Sequence, residues 1–144
     1  MSSASRCAIN GCVSEGRVRE GWVYETGTAL QVRAFHVMPG LPPPEGERHS
    51  HDYRLDVVVR RDALDERGMV VDLDLLDRAL RDAAAQVADA DLETVVLAEA
   101  VTVEVFARWL HDRLAAALGA LPGVTLAVRV WESPDAFGGY TASL

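Results

Sequence analysis

Three histidines in this sequence have the type and spacing to hold a metal ion. His49-Ser-His51 places two imidazoles two residues apart, and His36 stands upstream across a proline-rich stretch. On an extended strand, residues i and i+2 point the same way. The pattern continues beyond the pair, with His49, His51, Tyr53, Leu55, Val57 and Val59 on one face and Ser50, Asp52, Arg54, Asp56 and Arg60 on the other. That is the period-2 signature of a half-buried strand. The imidazoles therefore share the face of core residues, where an unpaired polar nitrogen costs about 1–3 kcal/mol. A shared cation removes that cost. Three histidines without a cysteine match catalytic rather than structural zinc, with water or substrate in the fourth position. Zinc is the expected cofactor and His36, His49 and His51 its expected ligands, with Asp52 or another carboxylate orienting a ring from behind. His111, followed by Asp112 and Arg113, reads as a solvated helix residue outside this set.

The elements that must position these side chains are legible on either side. Trp22 to Val37 favours a strand through Val23, Tyr24, Thr26, Leu30, Val32, Phe35 and Val37. Pro39-Gly-Leu-Pro-Pro-Pro-Glu-Gly46 stops any regular element and makes a rigid loop before the His49 strand. Asp62 to Gly68 is a polar turn. Leu73, Leu76, Leu80, Ala83 and Val87 then recur at helical spacing, with Asp72 or Asp74 as cap. Asp89 to Glu99 reads as a connector. A second helix follows, capped by Thr102, with Glu104 in its first turn and Phe106, Trp109, Leu110, Leu114, Ala117, Leu118 and Leu121 as its stripe. Pro122-Gly123 ends it. Val124, Leu126, Val128, Val130 and Glu132 alternate as a last strand, with a short tail near Tyr140 able to add another. Two hairpins separated by a helix pair predict an α+β domain, a four-stranded antiparallel sheet with two helices on one face.

At 144 residues and 49% hydrophobic, the chain is long enough to bury the core of a single domain. Residues 1–20 are small, polar and Gly-containing and read as a flexible extension, leaving 21–144 as the domain. Cys7 and Cys12 fall in that extension with no second Cys or His pair nearby, and read as reduced thiols. The net charge of −8 makes nucleic acid a poor partner. No apolar run reaches a membrane span, and Met1 to Gly11 lacks the apolar core of a secretory signal, so a cytoplasmic location is expected.

Several blocks, taken in order, resemble a known family. Val32-Arg-Ala-Phe-His36, His49-Ser-His51-Asp-Tyr53, Gly68-Met-Val-Val-Asp72, Thr102-Val-Glu104 and Val130-Trp-Glu132-Ser are similar to F-x-A-A-H, H-G-H-N-Y, G-M-V-x-D-F, P-T-x-E-N and V-x-E-T. Those are motifs of the 6-pyruvoyl-tetrahydropterin synthase and 6-carboxytetrahydropterin synthase family. The resemblance implies the tunnelling fold, zinc on the three histidines, and a homohexamer of two trimers with sites at subunit interfaces. It also implies that Glu132 anchors a pterin. A carboxylate at the end of the apolar row Val124 to Val130 can accept two parallel hydrogen bonds from an aminopyrimidine edge. Thr102 could contribute to the same ring, although helix capping already accounts for it.

The chain departs from that family at its proton-transfer positions. Glu45 stands four residues before His49, where the family's catalytic cysteine normally sits, and Asp89 falls at the position of the family's relay histidine. A third type of family member uses a glutamate near this point to cleave the side chain of dihydroneopterin triphosphate. By that resemblance the expected activity is a zinc-dependent lyase or cyclase acting on dihydroneopterin triphosphate or a related heterocycle. Glu45 would be the base and Asp89 its partner. The alternatives are a member recruited to another biosynthetic pathway with a non-pterin substrate, and a non-catalytic pterin-binding protein.

Overall fold

The computed structural model describes residues 21–144; the extension over 1–20, with Cys7 and Cys12, lies outside the described residues. The element order is β1 (Tyr24–His36), β2 (His49–Arg61), α1 (Leu73–Val87), α2 (Leu92–Val96), α3 (Val103–Leu118), β3 (Thr125–Ser133) and β4 (Ala136–Ser143). The four strands form one antiparallel sheet in the order β1-β2-β3-β4. This is the α+β architecture expected from the alternation, with one helix more than expected. Residues 89–99, read as a connector, contain α2, whose five residues are too few to show a helical period.

The alternation sets the two faces. Val32 and Ala34 of β1, Tyr53, Leu55, Val57 and Val59 of β2, and Leu126, Val128 and Val130 of β3 are buried on one side. Leu76, Leu80 and Val87 of α1 and Phe106, Leu110 and Leu114 of α3 complete that core. Helix α1 packs over β1, α3 over β3 and β4, and the two helices meet each other. The opposite face is charged, and the register sets Arg33 across from Asp52 and Asp56 across from Arg129. Opposite charges on neighbouring strands favour that pairing over a slipped one.

Both long helices begin at the caps their sequences suggest. Asp72 accepts from the backbone N–H groups of Asp74 and Leu75 at 3.0 and 3.4 Å. Thr102 Oγ1 accepts from the Val105 N–H at 3.3 Å. A side chain at Gly138 of β4 would place its Cβ 2.6 Å from Val103 Cγ2 and 2.9 Å from the Glu104 nitrogen. Glycine there lets the start of α3 rest on the sheet, which brings Thr102 and Val103 toward the histidines.

The outer edge of β1 is partly covered by the segment after α1. Asp89 N–H donates to the Arg33 carbonyl at 2.7 Å and Phe35 N–H to the Ala90 carbonyl at 2.9 Å, with Phe35 and Asp91 forming a parallel bridge. Among the described residues no helix is long and apolar enough to cross a membrane.

Candidate metal centre

Pairing between β1 and β2 sets His36 directly across from His49, with His51 two positions along. Because all three lie on the helix-facing side, their rings converge, with centroids 4.4 Å (His36–His49), 5.1 Å (His36–His51) and 4.9 Å (His49–His51) apart. Each offers one ring nitrogen to a cluster whose members all lie within 4.8 Å of one another. His49 Nε2 and His51 Nε2 are 3.1 Å apart. Two imidazole nitrogens bound to one tetrahedral zinc at about 2.0–2.1 Å stand about 3.3 Å from each other. The pair is already near that spacing.

The backbone decides which nitrogens are free. His36 Nδ1 lies 3.0 Å from the Val101 carbonyl and His49 Nδ1 lies 2.8 Å from the Glu47 carbonyl. A carbonyl can only accept, so in the neutral rings each Nδ1 carries the proton and each Nε2 keeps a lone pair facing inward. His36 is 5% exposed, and its Nε2 is buried with no hydrogen-bond partner among the described residues. A partnerless lone pair aimed at two other imidazoles is what a cation would satisfy. The donor set therefore fits a divalent metal.

Electrostatics favour the neutral, ligating form of His51. Burial pushes the His51 pKa below its ordinary value, and the neighbouring His36 and His49 push the same way, against Glu132 and Glu45. Tyr53, 1% exposed, packs edge-on against His36, His51 and Phe106 and joins the centre to the core. Burial raises its phenol pKa well above the usual range, with Glu132 and Glu93 adding to the shift.

The three rings open into a cavity of about 340 Å³. The loop between β1 and β2 contributes Met38, Pro44 and Glu45, the start of α3 contributes Thr102 and Val103, and β3 contributes Glu132. Loop hydrogen bonds from Met38 N–H to the Glu45 carbonyl (2.8 Å) and from Gly46 N–H to the Pro42 carbonyl (3.1 Å) fold Glu45 back over the metal centre. Thus the structure brings Glu45, Glu132 and Thr102 into one cavity with His36, His49 and His51.

Asp89 and His111 lie outside this cavity. Asp89 is exposed and is not among the cavity-lining residues. It turns the chain out of α1 at a φ of 54° while its backbone pairs with β1. Within one chain it makes no partner for Glu45. His111 is not solvated but 4% exposed, edge-on to Tyr140 at 4.9 Å. It falls on the helical row of buried Ala107 and Leu114, which outweighs its charged neighbours in sequence. Met38 and Val103 also line the cavity, and Glu93 accepts from the Val37 N–H beside it, with no motif marking the first two. Glu93 had a signal, since Asp91-Leu92-Glu93-Thr94 has the composition of a helix start.

Residues 28–143 match the family described as 6-pyruvoyl tetrahydropterin synthase, and the chain belongs to that family. No curated protein matches its sequence. Among solved structures, that of the Caenorhabditis elegans 6-pyruvoyl tetrahydropterin synthase superposes with a TM-score of 0.67 at 18% identity, covering 84% of this chain and 96% of that one. The Plasmodium vivax 6-pyruvoyltetrahydropterin synthase, as a variant with a catalytic glutamate changed to alanine, gives 0.70 at 14% identity over 86% of this chain and 100% of that one. The Plasmodium falciparum 6-pyruvoyl tetrahydropterin synthase gives 0.67 at 12% identity over 85% and 99%. At these identities the likeness establishes the shared fold.

Proposed function

We propose that the chain is a zinc-dependent lyase of the pterin synthase type, acting on dihydroneopterin triphosphate or a related heterocycle. The observation that carries this reading is the buried, partnerless Nε2 of His36 facing His49 and His51 in a cavity that also holds Glu45 and Glu132. His36, His49 and His51 would hold the metal. When bound, zinc would supply Lewis acidity toward a substrate hydroxyl or carbonyl oxygen.

The chain's own groups divide the remaining work. Glu132, at the end of the buried row of β3, accepts hydrogen bonds from the aminopyrimidine edge and sets the ring's orientation. Glu45, on the loop, takes the proton from the substrate side chain. That a glutamate is a catalytic residue in the Plasmodium vivax protein supports a carboxylate in this role. Thr102 caps α3 and presents its hydroxyl at the cavity edge. Family membership supports assembly into a homohexamer of two trimers.

A second reading, recruitment to a different heterocycle, is favoured by one observation. Glu45 and Asp89 stand where the family's catalytic cysteine and relay histidine normally sit, so the proton-transfer pair differs from the family's. Metal analysis with native mass spectrometry of the purified protein, followed by turnover assays on dihydroneopterin triphosphate, separates the readings. One zinc per chain with turnover lost in Glu45→Gln supports the lyase. Zinc without turnover of dihydroneopterin triphosphate supports recruitment, and absence of bound metal after zinc is offered in excess removes both.

A further inference from the structure

The loop between β1 and β2 begins and ends beside metal-centre histidines, and the segment Asp91–Glu93 touches both of its stems. At the first stem, the Val37 N–H, one residue after His36, donates to Glu93 Oε1 at 2.8 Å. At the second, Arg48, one residue before His49, pairs its Nε with Asp91 Oδ1 and lays its guanidinium 3.8 Å over the ring of Phe35. Phe35 itself is bridged to Asp91. Two carboxylates on one short segment therefore grip the chain immediately outside His36 and His49.

From these contacts we infer that Asp91 and Glu93 are positioning residues that clamp the two stems of the metal-centre loop, with Glu93 the dominant one. This rests on the reading that His36, His49 and His51 hold a metal. The ranking follows from exposure. Asp91 and Arg48 are 43% and 56% exposed at their side chains, and exposed pairs of this kind contribute little. Glu93 is half-buried and satisfies a backbone N–H that no strand partner reaches, so its loss leaves a donor unpaired. The Val37 N–H follows His36 directly, so freeing it loosens the ring that must meet His49 and His51, and the loop that carries Glu45.

The function of Glu93 as a hydrogen-bond acceptor makes it separable from any role of its charge. Glutamine keeps an acceptor oxygen where alanine does not. Purified full-length protein is compared with Glu93→Ala, Glu93→Gln and Asp91→Asn by Co²⁺ titration, by the visible absorption of bound Co²⁺, and by hydrogen exchange at the Val37 amide. Glu93→Ala is expected to weaken Co²⁺ binding about 10–100-fold, alter the absorption envelope and speed Val37 exchange. Glu93→Gln restores all three to within about 3-fold, and Asp91→Asn shifts affinity by less than about 5-fold. The clamp is overturned if Glu93→Ala leaves Co²⁺ affinity and Val37 exchange unchanged, or if Glu93→Gln is as damaging as alanine. Should the unaltered protein take up no Co²⁺, the metal reading fails by itself, and Val37 exchange still decides whether Glu93 holds the stem.

Discussion

The Nδ1–H of His36 donates to the carbonyl oxygen of Val101, 65 residues away in sequence, at 3.0 Å. That bond holds the ring with its Nε2 facing His49 and His51, and it ties the end of β1 to the residue before the cap of α3. The histidine cluster is thus tied to the start of the helix that borders the cavity by a hydrogen bond as well as by the packing of Tyr53 on Phe106.

Removing that ring tests the centre directly. His36→Ala is expected to weaken zinc or Co²⁺ binding by at least about 100-fold while far-UV circular dichroism stays unchanged. A variant that binds metal as tightly as the parent would show that the three nitrogens do not act together.

The two carboxylates of the cavity should fail in different ways. Glu45→Gln is expected to lower kcat about 10²–10⁴-fold with metal content retained, as for loss of a general base. Glu132→Gln disrupts the anchor instead and should raise KM by more than about 10-fold. Steady-state kinetics on dihydroneopterin triphosphate, paired with zinc analysis, read both. Equal effects of the two substitutions on kcat and KM would contradict the division of roles.

Gly46 follows Glu45 in a loop too tight for a side chain. A Cβ there would collide with the Leu41 carbonyl oxygen, which belongs to backbone and cannot swing aside. Gly46→Ala should cost about 1–3 kcal/mol, measured by urea denaturation, and reduce turnover by displacing Glu45. Unchanged stability and kinetics would show that the loop relaxes freely.

Asp77 links α1 to β1 and carries a pH signature. Its carboxylate accepts from Arg81 Nε at 2.7 Å and Thr28 Oγ1 at 3.0 Å. These two hydrogen bonds, the Arg81 one foremost, hold its pKa below the usual carboxylate value. A group with a depressed folded-state pKa adds stability that is fully present above its unfolded pKa, about 3.9, and lost as pH falls through the folded value. Asp77→Asn should therefore be less stable than the parent at pH 7, with the gap closing below about pH 4. Denaturant melts across that range check it, and a gap independent of pH would assign the effect to packing.

The alternation from His49 to Val59, the helical stripes of α1 and α3, and the caps at Asp72 and Thr102 all act over a few residues. They were readable because local backbone geometry alone sets where each side chain points. The shared face of His49 and His51 follows from the same rule. What the sequence could not decide depends on contacts between distant segments. His36 meets the pair only because β1 and β2 register it across from His49, and its free nitrogen is chosen by Val101. Asp89 is carried away from the cavity and Glu93 onto the stem of the β1–β2 loop by the way residues 89–93 pack on the edge of β1. His111 is buried because α3 turns that row onto the sheet, whatever its sequence neighbours. Residue type and period determine which side chains can share a face; chain crossings determine which of them meet.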